Sequence, residues 1–235
     1  MVTTKPKIRK VLLFDLDWTL IYTGGAGLRA LNHAYEALFG VAEAAKGVVL
    51  DGKTDPAICR EMIKVYQKRQ AEDTEIRALC DKYLEQLAIE VPISPGFRIL
   101  PGIPALLDRL AGHPEALMAL GTGNLKRGAE IKLARPDFWK YFPIGGFSDD
   151  SEDRAEVLRA AVRRAEAHAG RSFSASEVIV IGDTVHDIHA ARAIGATVLA
   201  VACGPTKREV LAAAHPDHLF DDLSDTQAVL NVLTL

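Results

Sequence analysis

Val11-Leu12-Leu13-Phe14-Asp15-Leu16-Asp17-Trp18-Thr19 begins with four apolar residues and stops abruptly on two carboxylates. A short, continuous apolar run of this kind is what a strand buried on both faces of a parallel sheet requires. The pattern returns three times. Leu117 to Leu120 runs into Gly121-Thr122-Gly123, Val178 to Ile181 into Gly182-Asp183-Thr184, and Thr197 to Ala202 into Cys203-Gly204-Pro205. A helical stretch follows each run, which predicts alternating β and α units around a parallel sheet. Weaker strands are expected at Phe142 to Phe147 and His218 to Phe220.

The predicted helices are bounded by recognisable signals. Glu152 to Ala169 has Ser151 as its expected N-cap, and Gly195 closes Val185 to Ile194. Thr206 to His215 stops at Pro216, and Ser224 to Leu233 forms the last helix. Residues 22 to about 95 break the alternation. Behind Gly24, Gly25 and Gly27 come three helical segments, Leu28 to Phe39, Pro56 to Arg69 and Glu72 to Ile89; Pro92, Pro95, Gly96, Pro101 and Gly102 then mark an irregular return. The expected fold class is α/β: a doubly wound, Rossmann-like core from residues 1–21 and 96–235, with an inserted helical subdomain at 22–95.

Composition narrows the function classes. With 49% hydrophobic residues in 235, the chain can bury a full core and is not a disordered sequence. A net charge of −3 gives no support for nucleic-acid binding, and the basic cluster Lys5, Lys7, Arg9 and Lys10 reads as a solvated lead-in to the first strand. No apolar run approaches the ~20 residues of a membrane helix, and Val11 to Phe14 is too short for a signal peptide. Cys59, Cys80 and Cys203 are odd in number, widely spaced and without a C-x-x-C, so reduced thiols and a cytoplasmic location are expected.

Open α/β sheets bind ligands at the carboxyl ends of their strands. Those ends supply Asp15, Asp17, Thr122 and Asp183, with Asp187 one helical turn further on. Taken singly, each aspartate is as readily a turn residue or helix cap. Gathered at one sheet edge they would repel one another, and a hard divalent cation relieves that repulsion. Oxygen-only donors beside a phosphate favour Mg²⁺. Acids at the first strand end, and glycines at 121, 123 and 128 that miss G-x-G-x-x-G, disfavour a dinucleotide or P-loop site. His186 and His189 flank Asp187, but no other His or Cys converges on them in sequence, so a solvated helix face is expected rather than zinc.

Asp15-Leu16-Asp17-Trp18-Thr19, the Thr122 strand end, a basic residue on the following helix, and Gly182-Asp183-Thr184-Val185-His186-Asp187 together resemble the four motifs of the haloacid dehalogenase superfamily. The motifs bracket residues 11–187, and the helical insertion resembles the C1-type cap of its phosphoglycolate phosphatase-like members. The resemblance implies that Asp15 is a nucleophile forming an aspartyl-phosphate. It makes Asp17 first the general acid and then the base, and Thr19 a support for their loop. Thr122, with the Gly123 and Asn124 backbone N–H groups, would hold the phosphoryl oxygens. Asp15, the Asp17 carbonyl and Asp183 would hold Mg²⁺, with Asp187 orienting a bound water or Asp183.

The third motif requires a cation: Arg154 is the candidate, with Lys126 and Lys132 as rivals. Lys53, in the loop Gly52-Lys53-Thr54-Asp55, either meets an anionic substrate or is an exposed turn lysine. Trp18 departs from the glycine of many relatives. Asp17 argues against dehalogenases and phosphonate-cleaving relatives, which lack this second aspartate. The expected activity is hydrolysis of a small phosphorylated metabolite. A sugar-phosphate phosphomutase stays open, as does, from another class, a non-hydrolytic phospho-switch.

Overall fold

The computed structural model describes residues 8–235, so Lys5 and Lys7 lie outside the described residues. Six strands form one parallel sheet: β1 (Lys10–Phe14), β4 (Ala116–Gly121), β5 (Gly145–Gly146), β6 (Val178–Gly182), β7 (Thr197–Val201) and β8 (His218–Phe220). Their order is β5-β4-β1-β6-β7-β8, which places β1 between β4 and β6. The apolar runs divide with a period of two. Leu12, Phe14, Leu120, Ile181 and Leu199 enter the core on one face, against α4 (Ile103–Ala111), α5 (Lys126–Ala134) and α9 (Thr226–Leu233). Val11, Leu13, Ala119, Val180 and Val198 enter the other, under α6 (Arg154–Ala169), α7 (Val185–Ala193) and α8 (Arg208–Ala213). Both faces are covered, so apolar residues are needed at every position of a central strand.

The chain leaves and re-enters this core through a small antiparallel stem, β2 (Ile21–Thr23) with β3 (Phe97–Ile99), paired Ile21 to Ile99 and Thr23 to Phe97. Gly24 follows at φ +66°, where a Cβ would press on Gly96 and Phe97, so this crossing accepts only glycine. Arg29 ties the stem together, donating to the Gly24 carbonyl at 2.9 Å, Ser94 Oγ at 3.0 Å and Glu90 at 2.6 Å. Beyond it α1 (Ala26–Phe39), α2 (Asp55–Gln67) and α3 (Asp73–Ile93) pack around their own apolar cluster, centred on Tyr35, Met62, Leu79 and Leu87.

Several sequence expectations are corrected. The helix expected from Glu152 starts at Arg154: Asp153 is the N-cap and accepts from Ala155 N at 2.7 Å, while Ser151 Oγ accepts from Asp153 N at 3.1 Å. The third helix runs on to Ile93 with Pro92 inside its last turn; the proline forgoes its own bond to the Ala88 carbonyl, and the helix ends one residue later. The strand expected over Phe142 to Phe147 shrinks to Gly145–Gly146; the two phenylalanines turn into the core, and a Cβ on Gly146 would overlap the Val157 carbonyl of α6. The helix at Thr206 to His215 is shortened to Arg208–Ala213. Neither the β2–β3 stem nor α4 was anticipated.

Candidate active site

Strand pairing assembles the site. Phe14 is in register with Leu120 of β4 and Ile181 of β6, so the residues just past all three strands share one edge of the sheet. Asp15 N donates to the Ile181 carbonyl at 2.8 Å, which fixes the start of the acidic loop. That loop turns tightly: Leu20 N donates to the Leu16 carbonyl at 2.9 Å, and Trp18 N to the Ile21 carbonyl at 2.8 Å. Trp18 has φ +58°, a left-handed conformation costing a non-glycine residue about 1–2 kcal/mol. Here the cost is offset by stacking: Trp18 lies 4.0 Å from the Tyr22 ring, and the Arg98 guanidinium covers both rings.

Asp15, Asp183 and Asp187 each present a carboxylate oxygen within 4.8 Å of the others, all buried. Burial, with Asp187 and Asp17 acting the same way, pushes Asp15 up to about 7 even though Arg154 opposes it. Burial also raises Asp183 well above the usual carboxylate range, helped by Asp187 and Asp15. Arg154, with 10% of its side chain exposed, lies 3.4 Å from Asp15 Oδ1 and pairs directly with Asp187 Oδ1. Burial works against its charge, but the two carboxylates outweigh it and hold its pKa raised. The other Asp187 oxygen accepts from Thr184 N at 3.1 Å and Thr184 Oγ1 at 2.7 Å. Asp187 is thus already satisfied, whereas Asp15 Oδ1 and Asp183 Oδ2 are buried without a hydrogen-bond partner. Two buried carboxylate oxygens that lack a hydrogen bond, on residues that bring ligand atoms within 4.8 Å of one another, fit a hard cation. Gly204 completes the cradle, since a Cβ there would overlap Asp183 Oδ2. Thr19 Oγ1 donates to the other oxygen of Asp183 at 3.5 Å.

Asp17 is held separately and is partly open, with 37% of its side chain exposed. Its Oδ2 accepts from Lys132 Nζ at 2.6 Å and Asn124 Nδ2 at 3.0 Å, and Lys132 also donates to Asn124 Oδ1 at 2.6 Å. Thr122 Oγ1 accepts from Asn124 N at 3.3 Å and Asn124 Nδ2 at 2.9 Å, which joins both strand ends in one network. Two of the three candidate cations therefore reach the site, on different carboxylates: Arg154 on Asp15 and Asp187, Lys132 on Asp17. Lys126 stays exposed beside a separate hollow. The Asp17–Lys132 pair was missed in sequence, although the spacing of Gly128, Ala129, Lys132 and Leu133 on the buried face of α5 gives a signal for it.

The loop ahead of α2 is bound to the loop that follows β4. Asp55 N donates to the Gly123 carbonyl at 2.8 Å, Leu125 N donates to Asp55 Oδ2 at 2.8 Å, and Thr54 Oγ1 donates to the Glu152 carbonyl at 3.2 Å. Burial pushes Asp55 up to about 6, against the pull of Lys132 and the Leu125 N–H. A Cβ on Gly123 would overlap the Lys53 carbonyl and crowd Arg154. Lys53 itself lines the cleft, with its ammonium paired to Glu61 of α2. The His186 ring packs at Gly52, and neither it nor His189 joins a metal-binding group among the described residues. Between the sheet edge and the helices lies a cavity of about 370 Å³.

Residues 12–201 match the family model of the haloacid dehalogenase-like hydrolases. The chain belongs to this family. Among the relatives of this haloacid dehalogenase-like hydrolase, a phosphoglycolate phosphatase of Photorhabdus laumondii is 25% identical over 230 residues, covering 96% of this chain and 94% of that protein. A second phosphoglycolate phosphatase, from Synechococcus elongatus, is 28% identical over 140 residues, 59% of this chain and 63% of its own. The solved structure of CbbY from Rhodobacter sphaeroides in complex with phosphate has a TM-score of 0.72 at 17% identity, covering 93% and 96% of the two chains. Among the described residues, no helix of this hydrolase is long and apolar enough to cross a membrane.

Proposed function

We propose that this hydrolase is a Mg²⁺-dependent phosphatase that cleaves a small phosphate monoester through an aspartyl-phosphate on Asp15. The observation that carries the reading is the pair of orphaned, buried carboxylate oxygens of Asp15 and Asp183 beside the Arg154 guanidinium. Phosphoryl transfer spreads charge over three equatorial oxygens, so a site for it consists of cations and donors around one nucleophile. The names of the two phosphoglycolate phosphatases point the same way.

In the first half-reaction an Asp15 oxygen attacks phosphorus, the ester P–O bond breaks, and Asp17 gives its proton to the departing alkoxide. Asp17 leaves that step as a carboxylate. In the second it takes a proton from water, the water oxygen attacks phosphorus, and the bond from Asp15 to phosphorus breaks to release inorganic phosphate. Its 37% exposure suits a group that must meet both an alcohol and a water, while Lys132 and Asn124 hold it in place. Arg154, Thr122 and the Gly123 and Asn124 N–H groups bind the phosphoryl oxygens. Asp15, Asp183 and the Asp17 carbonyl would hold Mg²⁺, which supplies positive charge to the phosphoryl oxygens and to the nucleophilic carboxylate. Thr19 and Asp187 hold Asp183 and Arg154 respectively. Residues 22–95 act as the cap, whose closure over the cleft governs water access.

The test is phosphate release from p-nitrophenyl phosphate with Mg²⁺ and with EDTA, beside Asp15→Asn. Release that needs Mg²⁺ and vanishes in the variant is expected. Release that survives either EDTA or the substitution overturns the mechanism.

A further inference from the structure

The half of the cleft away from Asp15 tells what kind of alcohol the phosphate leaves behind. The side chains that α1, α2 and α3 contribute to this wall include Leu28, Leu31, Ile58 and Tyr83, with one acid, Asp55, whose carboxylate already accepts from Leu125 N. Leu31, Ile58 and Tyr83 are at most 5% exposed, so the wall is packed into the helical cluster rather than loosely draped over it. Tyr83 brings that wall its one hydroxyl. The Trp18–Tyr22 stack also lines the cavity.

Charge excludes one class of leaving group. Three cations line the cavity, and each already faces a carboxylate: Arg154 meets Asp15 and Asp187, Lys132 meets Asp17, and Lys53 meets Glu61. Arg98, which has no carboxylate partner among the described residues, sits over the Trp18 and Tyr22 rings outside the cavity lining. Asp51, in the loop ahead of α2, adds a second acid to the cavity lining beside Asp55. A carboxylate on the leaving alcohol would lose its water beside two acids, with no uncommitted cation to receive it. An uncharged apolar body would bury against leucine, isoleucine and aromatic carbon instead.

We infer that this hydrolase acts on phosphate monoesters of uncharged alcohols with an apolar body, and discriminates against those whose leaving group carries a carboxylate. The inference rests on the phosphatase reading for its turnover arm and on the cavity wall alone for its binding arm. It separates this chain from the relatives named for phosphoglycolate, whose leaving group is an anion.

The experiment compares molecules that differ only in the disputed charge. Benzyl phosphate, 4-carboxybenzyl phosphate and 2-phosphoglycolate are assayed for phosphate release with Mg²⁺. In parallel, calorimetry measures the binding of benzylphosphonate and 4-carboxybenzylphosphonate, which cannot turn over. The expected result is a kcat/KM at least tenfold higher for benzyl phosphate than for either acid, with the phosphonate Kd values separated in the same sense. Leu28→Lys, at a half-buried position on α1, should shrink that ratio severalfold or reverse it, with a thermal melt checking that the variant folds. Equal or better handling of the carboxylate-bearing ligands, or failure of both phosphonates to bind, overturns the inference. Selective phosphonate binding without turnover of any ester would uphold the inference and instead overturn the phosphatase reading.

Discussion

Replacing Asp15 with Asn removes the nucleophile of the proposed mechanism, and the same change should make the protein more stable. Asp15 has 10% of its side chain exposed, and burial holds its carboxyl at about 7 against an ordinary 3.8. A displacement of about three pH units corresponds to about 4 kcal/mol at 1.36 kcal/mol per unit. The folded-state value is the raised one. Stability from the protonated form is therefore present below about pH 4 and is lost as pH rises through 7. The attraction of Arg154 is already contained in that value, and Arg154 keeps Asp187 as its partner in the variant. Asn has nearly the same shape and no charge to desolvate. In EDTA at pH 8, Asp15→Asn should melt above the parent by up to about 4 kcal/mol, or roughly 8–16 °C for a chain of this size. At pH 4 the two should melt together. Saturating Mg²⁺ should close the gap at pH 8, because a cation binds the charged parent and has little hold on the amide. Scanning calorimetry between pH 4 and 9, with and without Mg²⁺, measures all of this. Equal melting temperatures in EDTA at pH 8, or a gap that does not shrink on acidification, would refute the reasoning.

Three further outcomes are expected. Lys132→Met strips Asp17 and the buried Asn124 oxygen of their shared ammonium; kcat should fall about tenfold to a hundredfold with KM little changed, and stability by about 2 kcal/mol, read by steady-state kinetics and thermal melts. Gly204→Ala forces Asp183 Oδ2 out of its place, so the Mg²⁺ concentration for half-activation should rise by about tenfold or more, while a surface change such as Gly170→Ala should leave it alone. Cys59 and Cys80 are buried, and Cys59 is pushed well above the usual thiol range by its hydrogen bond with Cys80 and by burial. Burial likewise pushes Cys203 up to about 11. At pH 7.5 a thiol reagent should label the native protein slowly and at Cys203 first, with all three reacting on unfolding; fast modification at Cys59 or Cys80 contradicts the packing of α2 against α3.

The parts of this protein that were legible in its sequence share a physical basis. A strand covered on both faces must be apolar throughout, so β1, β4, β6 and β7 could be read from Val11, Leu117, Val178 and Thr197 onward without a partner in view. Asp15, Thr122 and Asp183 were visible for the same reason, since each stands where such a run breaks into polar residues. The weaker elements depended on neighbours. Gly145–Gly146 is a strand through its pairing with Leu120 and Gly121 of β4, with Gly146 clearing the Val157 carbonyl, and Phe142 and Phe147 are core residues rather than strand residues. The β2–β3 stem joins residues more than 70 positions apart, and no local pattern encodes that pairing.

The sequence by itself determined the alternating α/β order, the strand ends and the set of carboxylates at those ends, because periodicity and chain breaks are local properties of neighbouring residues. Only the tertiary structure decided which cation serves which carboxylate. Arg154 and Lys132 are both basic residues near helix ends in the sequence, and the packing of α6 and α5 sends one to Asp15 and Asp187 and the other to Asp17. It also decided that Lys53 turns to Glu61 and that the far wall of the cleft is apolar. Ion pairing and burial depend on distances between segments, and those distances exist only once the chain has folded.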